Sequence, residues 1–563
     1  CLIIASINST VSLLSRMFIK NILVLLANMP PCKVYLGIDC GTQSTKAVLY
    51  NPTQKEIIAR ASAPHDLDPV DTSKTPGRAE QHPHKWVKAL HICMKEISSA
   101  LIDSDQYSLA GVGVSGQQHG MVSLDDELQI IRSAKLWCDV EAAKEAEEYS
   151  QKATTVLQDL LKEDCSVQVP AGFTAPKSLW FKRNEPDLFA KLRWLILPHD
   201  YMNLVLETGI GYDMDIENVV TEQEMKEYKP NVAHIDISKV VPSTDAGDAS
   251  GSGYLHPRKP EYVEELTAII DEDYMIKLPK ILGPNEVSGH LSSKWKEILG
   301  ITADTVVPIS VGTGDNMASA MGCKCIEPGT AVMSLGTSGT IFGVSTSPVK
   351  TGTAVLPFND ATGNHLPLVC IMSCTAVLNS VLEHWCSSSD QKLTHVEATK
   401  LAKSVPAGCN GLTFLPFLGG ERTPNWPLSF GALLGVTSQN MHCMNGDNAG
   451  IMYRCALEGI TYTMANALEE MRASCGEGFQ PKSIMIVGGG SKNKFWRQML
   501  ADVMEVELTF PTEAESAALG AAFQAGACAT GIQVSEYISQ QTVAMEDCAV
   551  TPTTDKSKLR LYR

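Results

Sequence analysis

A chain of 563 residues exceeds the roughly 250–300 at which a single hydrophobic core stops growing, so two or more domains with a cleft between them are expected. An apolar share of 44% beside 19% charged residues excludes the disordered and fibrous classes. A formal charge of -17, with no basic run interleaved with aromatics, argues against nucleic acid and a membrane surface as partners and leaves small molecules.

The first 28 residues are apolar and slightly basic, but Arg16 and Lys20 interrupt them and Ile22 to Leu26 is too short to span a bilayer. They read as an upstream extension, with Met29 as the expected native start and residues 1–32 outside the folded core. Val34 to Asp39 alternates as a strand, breaks at Gly41-Thr42-Gln43-Ser44, and resumes at Ala47 to Tyr50, which makes a hairpin. A third strand from Glu56 to Ser62, a helix from Pro83 to Leu101 and a strand from Leu109 to Val114 follow. Gly111-Val112-Gly113-Val114-Ser115-Gly116 spells a dinucleotide-binding fingerprint, with Asp139 farther on. Its first two glycines lie inside a strand and no helix opens after it, so that reading is dismissed. No Gly-Lys-Ser/Thr triplet of a P-loop occurs. Ile210 to Asp245 is acidic and irregular and reads as a surface insertion.

The second half repeats the design: a strand from Val306 to Val311, a helix from Asn316, then Ala331 to Leu335, Gly336-Thr337-Ser338-Gly339, and Thr340 to Val344. Two matched hairpins about three hundred residues apart point to internal duplication. Farther on, Ser483 to Val487 runs into Gly488-Gly489-Gly490, with Ser491 as the expected N-cap of a helix through Trp496 and Met499. An Ala-rich helix begins near Glu515 and ends the second half around Gly526, and the composition of the last stretch reads as a loosely packed tail. The expected organisation is 33–311, carrying the insertion at 210–245, then 312–547, then a tail at 548–563.

A turn of Gly, Thr and Ser exposes backbone N–H groups and hydroxyls in a space that small side chains leave open to a phosphate chain, and two such turns can grip it from both sides. Bulk charge of this sign repels a nucleotide, so such a site works through Mg²⁺ and local donors. Asp39, ending the first strand, can hold the hydrated ion or merely cap its turn. Asp315 can take a proton from an attacking hydroxyl or cap the helix that follows, and spacing alone does not separate the two. The three glycines allow close approach of a flat ligand, with Asn493 in reach. His119 and Gln118 can bond a sugar hydroxyl, although a lone histidine is more often structural. Trp86, Trp137 and Trp426 could stack on a sugar face, but buried packing is the more usual role of such residues and none of the three is assigned to the site. The seventeen cysteines are dispersed, and Cys323 with Cys325 lacks a second pair, so buried thiols of a reducing cytoplasm are expected rather than a structural metal.

The order GIDCGTQSTKAVLY, PGRAEQHPHKW, SGQQHG, GFTAPKSLWFKRNEP, LPHDY, AGDASGSGY, VGTGDNMASA, SLGTSGT, LPFLGGERTPNW and IVGGGSKNKFWRQMLADV, spanning roughly Val34 to Ala527, resembles the FGGY family of carbohydrate kinases. The resemblance implies a duplicated actin-like (ribonuclease H-like) α/β fold with sugar in the first half, ATP mainly in the second, and both in the interdomain cleft. SGQQHG, GFTAPK, GDNMASA and the ERTP stretch are more similar to members acting on D-xylulose than to those acting on glycerol, which implies ATP-dependent formation of D-xylulose 5-phosphate. Ribulose, sedoheptulose or gluconate as acceptor, or a catalytically weak sensor of the same fold, are the alternatives. By the same resemblance Asp315 matches the catalytic base and Asn316, His119 and Gln118 match sugar contacts. Asp39 matches the Mg²⁺-phosphate position. Gly41, Thr42, Gln43 and Ser44 match one phosphate clamp and Gly336, Thr337 and Ser338 the other, while Gly489, Gly490 and Asn493 match the nucleoside site. Two departures stand out: Cys165 to Val169 before GFTAPK, and Ser178 where an apolar residue is usual. A cytoplasmic enzyme is implied, with a second copy of the chain as the one protein partner considered.

Overall fold

The computed structural model describes residues 30–555 except 72, 103–105, 215–220, 351, 387–391, 427 and 441–448. The expected extension up to Met29, part of the insertion and the end of the tail therefore lie outside the described residues.

Apolar runs buried on both faces build β1 (Cys32–Cys40) and β2 (Ser44–Asn51), and β3 (Glu56–Pro64), buried at alternate residues toward its end, completes an antiparallel meander. Helix α1 (His84–Ile102) then carries the chain to β4 (Tyr107–Gly116), which pairs parallel to β1. Val112 of β4 pairs in turn with β8 (Pro308–Ser310), parallel again, and β7 (Val287–His290) closes the edge antiparallel to β8. A short β9 (Thr313–Gly314) also pairs with β4. The expected passage between halves at 311 and 312 thus falls between two strands of one sheet. Val306, 71% exposed, lies outside the strand expected to contain it.

The second sheet reproduces this order. β10 (Thr330–Leu335) and β11 (Gly339–Gly343) form the hairpin, and β11 pairs antiparallel with β13 (His365–Ile371). On the other side β14 (Ser483–Val487) lies parallel to β10 and β15 (Glu507–Thr509) parallel to β14. Meander, parallel neighbour and parallel outer strand recur in the same positions; the added edge strands differ, β7 lying beyond the parallel outer strand and β12 (Leu356–Asn359), antiparallel to β13, beyond the meander. The duplication read from the two hairpins is present in the sheets.

Helix α6 (Asp315–Gly322) leaves the first sheet, and α11 (Ser516–Thr530) packs on both α6 and strands β1 and β4. Glycines permit this. A Cβ on Gly37 or Gly113 would fall inside the carbonyls of Ala518 and Ala521, and one on Gly322 or Gly520 inside those of Ser516 and Ala318. The Ala-rich helix runs past Gly526 to Thr530, and parts of the described chain beyond it are packed. Tyr537 and Ile538 of α12 (Val534–Gln540) are buried, and Val550 exchanges two backbone hydrogen bonds with Leu508 of β15. The described part of the 210–245 stretch is also more than surface. Ile210, Met214 and Met225 are buried, and the carbonyl of Met225, in the helix of residues 222–227, accepts from His84 Nδ1 at 3.0 Å. An acidic composition hid a few apolar anchors there.

Candidate active site

Strand pairing sets the first group. Asp39 is opposite Ser115, and Ser115 is opposite Thr313; one step on, Cys40, Gly116 and Gly314 form the next row. Neighbouring strands lie about 4.8 Å apart, so two spacings put Asp39 about 10 Å from the end of β9, where Asp315 begins α6. Gly314 is the N-cap residue, which removes the capping role left open for Asp315. Ser115 Oγ donates to Asp39 Oδ1 at 2.9 Å. Burial pushes the Asp39 carboxyl up to about 6 against the pull of that bond. Burial, and after it the charges of Asp39 and Asp248, push Asp315 up to about 8. Lys46, whose charge Asp39 feels, is spent on Glu515 at 2.7 Å. Buried carboxylates that repel one another, with Lys46 already paired to Glu515, suit a divalent ion at Asp39.

The first turn is held from behind. Thr42 Oγ1 donates to Gln117 Oε1 at 3.0 Å and accepts from Trp137 Nε1 at 3.0 Å, while Gln81 Nε2 donates to the Thr42 carbonyl at 2.7 Å. The single hydroxyl proton of Thr42 is therefore used inward, contrary to the expectation that the turn's hydroxyls face a phosphate. The Gly41 N–H is also used within the turn, donating to the Ser44 carbonyl at 3.1 Å. Ser44 belongs to β2 rather than to the turn proper. Trp137, left unassigned, locks the turn; Trp86 is buried as expected; Trp426 is 56% exposed, because it sits edge-on to Phe417 on an outer loop instead of in a core.

Gln118, His119, Asp315 and Asn316 come together. Asn316 Nδ2 donates to Gln118 Oε1 at 2.8 Å and to Asp315 Oδ1 at 3.0 Å. His119 adopts a left-handed φ of 64°, held there by its carbonyl, which accepts from Lys177 Nζ at 2.6 Å and Thr174 Oγ1 at 3.2 Å. Lys177 is wholly buried and donates also to the carbonyls of Lys135 and Leu136. The His119 ring stacks on Phe173 at 4.4 Å and meets Phe358 of the second sheet at 5.7 Å, so the two halves touch here. Burial, then the Lys177 and Arg422 charges, hold the ring well below its usual titration range, hence neutral. Ser178, the departure from an apolar pattern, is buried but satisfied: it donates to the Thr174 carbonyl at 2.9 Å and accepts from Tyr274 Oη at 2.6 Å.

In the second half, the Gly336 carbonyl accepts from Thr375 N and Oγ1 at 3.1 and 2.7 Å, and that of Thr337 from Ala376 N at 3.2 Å, while the Thr337 side chain stays exposed. Leu335, just before this turn, lies against Gly488 and Gly490, so the turn and the glycine triplet are contiguous. A cavity of about 490 Å³ opens beside them, lined by Thr375, His395, Thr399, Gly489, Gly490, Asn493 and Phe495 among others. Its mixed polar and apolar lining suits a nucleoside. The cap of the helix Lys494–Met504 is Asn493, whose Oδ1 accepts from Phe495 N and Trp496 N, and not Ser491, because the 3₁₀ turn Gly489–Lys492 delays the start. Asn493 Nδ2 donates to Thr399 Oγ1 at 3.0 Å, so this residue shapes the cavity wall.

A buried charge cluster escaped the sequence reading. His199 Nδ1 meets Asp248 Oδ2 at 2.7 Å, and its Nε2 lies 2.9 Å from Asp200 Oδ1 and 3.8 Å from Asp245 Oδ1. Burial opposes a charge on the ring, but the Asp200 and Asp248 carboxylates outweigh it and hold His199 protonated. LPHDY and AGDASGSGY, 49 residues apart by their key side chains, were its only signal. Glu80, Asp139 and Glu141 lie close enough for a metal, but they already bind Lys135 at 3.1, 3.1 and 2.6 Å. Among the described residues no helix is long and apolar enough to cross a membrane.

Residues 34–229 match the N-terminal domain, and residues 331–529 the C-terminal domain, of the FGGY family of carbohydrate kinases. Over 504 residues the chain is 34% identical to the xylulose kinase of Haemophilus influenzae, covering 87% of this chain and 90% of that one. The crystal structure of a xyloylose kinase from Brucella ovis superposes with a TM-score of 0.76 at 26% identity, covering 94% and 96% of the two chains. A gluconate kinase from Lactobacillus acidophilus shares the fold, with a TM-score of 0.75 at 23% identity over 94% and 96%.

Proposed function

The chain belongs to the FGGY family of carbohydrate kinases and is a sugar kinase that uses ATP, and we propose that its acceptor is D-xylulose, phosphorylated to D-xylulose 5-phosphate. The observation that carries the mechanism is the convergence of Asp315 with Asn316 and Gln118 at the end of β9, one row from Asp39. Residues 33–311 hold the sugar through Gln118 and His119, joined by Asn316 from the start of the second half, and residues 312–547 hold the nucleotide through the cavity at Gly489, Gly490 and Asn493. The backbone N–H groups of the turns at Gly41 to Ser44 and Gly336 to Ser338 bind the phosphate chain. Asp39 would hold a divalent ion such as Mg²⁺, which when bound neutralises charge on the phosphate oxygens. Asp315 accepts the proton of the sugar hydroxyl as that oxygen attacks the γ-phosphorus and ADP leaves in line. Contact between Phe358 and His119 closes the halves over the sugar and keeps water from competing.

ADP release measured with D-xylulose, D-ribulose, sedoheptulose, gluconate and glycerol side by side tests the acceptor. D-xylulose should give the highest kcat/KM, by about tenfold or more, as expected for a site built to hydrogen-bond each hydroxyl; a different leading sugar replaces it. A base acts only when ionised, and Asp315 in the free enzyme is pushed up to about 8. The kcat/KM profile for the sugar should therefore rise tenfold per pH unit on its acid limb and level off near pH 8. Replacing Asp39 by Asn removes a neighbouring negative charge and should shift that limb to lower pH.

A further inference from the structure

Beside Gly314, on the sugar side of the site, two buried polar atoms find no hydrogen-bond partner among the described residues. Asp248 is fully buried; its Oδ2 takes His199 Nδ1, and its Oδ1 has no hydrogen-bond partner. Gln118, 4% exposed, has its Oε1 taken by Asn316, and its Nε2 has no partner either. Both side chains border the same residue. A Cβ on Gly314 would lie 3.1 Å from Asp248 Oδ1 and 2.7 Å from Gln118 Cγ, and Gly314 directly precedes Asp315. One of the two is an acceptor and the other a donor. Leaving either buried without a partner is costly, and a group able to donate and accept at once relieves both. A hydroxyl is such a group.

The arrangement is rigid. Asp245 Oδ1 and Oδ2 accept from Asp248 N and Gly247 N at 3.0 and 2.9 Å, and Asp245 Oδ2 also accepts from Thr313 Oγ1 at 2.7 Å, tying the Asp248 segment to β9. Gly247 is needed at that junction, where a Cβ would come within 2.8 Å of Thr313 Oγ1. The second half covers the segment: Asn359 N donates to Ser250 Oγ at 3.0 Å. A hydroxyl between Asp248 and Gln118 is therefore enclosed when the halves meet and sits beside the base.

We propose that Asp248, held by His199, is a substrate-binding residue whose Oδ1 accepts from one sugar hydroxyl while Gln118 Nε2 donates to the same oxygen. The assignment rests on the sugar-kinase reading above and adds a residue to it. The subsite selects acceptors that carry a hydroxyl next to the one being phosphorylated, and rejects those with hydrogen there.

The test pairs Asp248→Asn with monodeoxy analogues of D-xylulose. Asn keeps the shape but can turn an N–H toward Gln118 Nε2, so KM for D-xylulose should rise roughly 10- to 100-fold, the usual worth of a hydrogen bond to a charged group. With one particular deoxy analogue, wild type and variant should differ by less than threefold, since the hydroxyl they would compete for is missing. An equal penalty across all analogues, or a KM within twofold of wild type, overturns the assignment. Gln118→Glu reverses the polarity of the facing atom while keeping the oxygen that accepts from Asn316. It should single out the same analogue, and it serves if Asp248→Asn does not fold. A wild type that transfers no phosphate to D-xylulose defeats the acceptor reading instead, and the comparison then passes to deoxy forms of whichever sugar in the panel is turned over.

Discussion

Replacing Asp315 by Asn is expected to lower kcat by roughly 10²- to 10⁴-fold, the range over which a positioned base contributes. The amide has the shape of the carboxylate, and its oxygen can still accept from Asn316 Nδ2, so the sugar contacts of Gln118 and Asn316 stay in place. What is lost is the ability to take the hydroxyl proton. Because burial and the charges of Asp39 and Asp248 push the Asp315 carboxyl up to about 8, an uncharged amide of the same shape adds no repulsion there. The variant should therefore melt no lower than the wild type, which separates lost chemistry from lost fold. Initial rates of ADP release with and without sugar, beside a thermal melt, read both. A kcat within about fivefold of wild type would falsify the role given to Asp315, since such a residue could not be the group that accepts the proton.

Gly113→Val is expected to damage the fold more than any change in the cavity. Gly37 and Gly113 face each other on β1 and β4, and both lie directly beneath the backbone of α11. Side-chain atoms at either position enter carbonyl groups, which cannot swing aside as a flexible side chain does. Nor can the helix lift away, because Gly322 and Gly520 lock it against α6 in the same manner. Overpacking in cores that can adjust costs about 1–3 kcal/mol, and this one is braced on both sides, so about 3 kcal/mol or more is expected. The readout is the yield of soluble protein and the melting temperature. Gly419→Val is the control, since a Cβ there meets nothing within 4 Å. Equal melting of both variants would mean that the helix has room to move.

Much of the frame was legible because the signals are local. Asp39 and the turn after it occupy neighbouring positions, as do Leu335 and the second turn, and an apolar strand broken by Gly and Thr announces a hairpin wherever it occurs. The same holds for the Ser483–Val487 strand and its glycines. What escaped depends on pairings that no local pattern carries. The bond between Trp137 and Thr42 spans 95 residues, and Lys177 reaches the His119 carbonyl across 58. Asp315 as helix cap or base could not be decided from spacing, because the choice rests on β9, a two-residue strand defined only by its partner β4. Ser491 was preferred as a cap on propensity, and a 3₁₀ turn moved the start of the helix to Asn493. The tail and the 210–245 stretch read as loose because their few apolar anchors, Tyr537, Ile538 and Met225, are scattered among polar residues.

The seat of α11 on the first sheet bears on how the protein is made. Strands β1 and β4 leave the ribosome early, but the face that Gly37 and Gly113 keep flat is covered only when residues near Ala518 and Ala521 arrive. At 5–20 residues per second the interval after Gly113 is roughly 20 to 80 s. For that time the nascent first half carries a bare apolar groove shaped for a helix not yet translated. Its needs for chaperone cover are therefore set by the position of α11 in the gene rather than by the sheet itself.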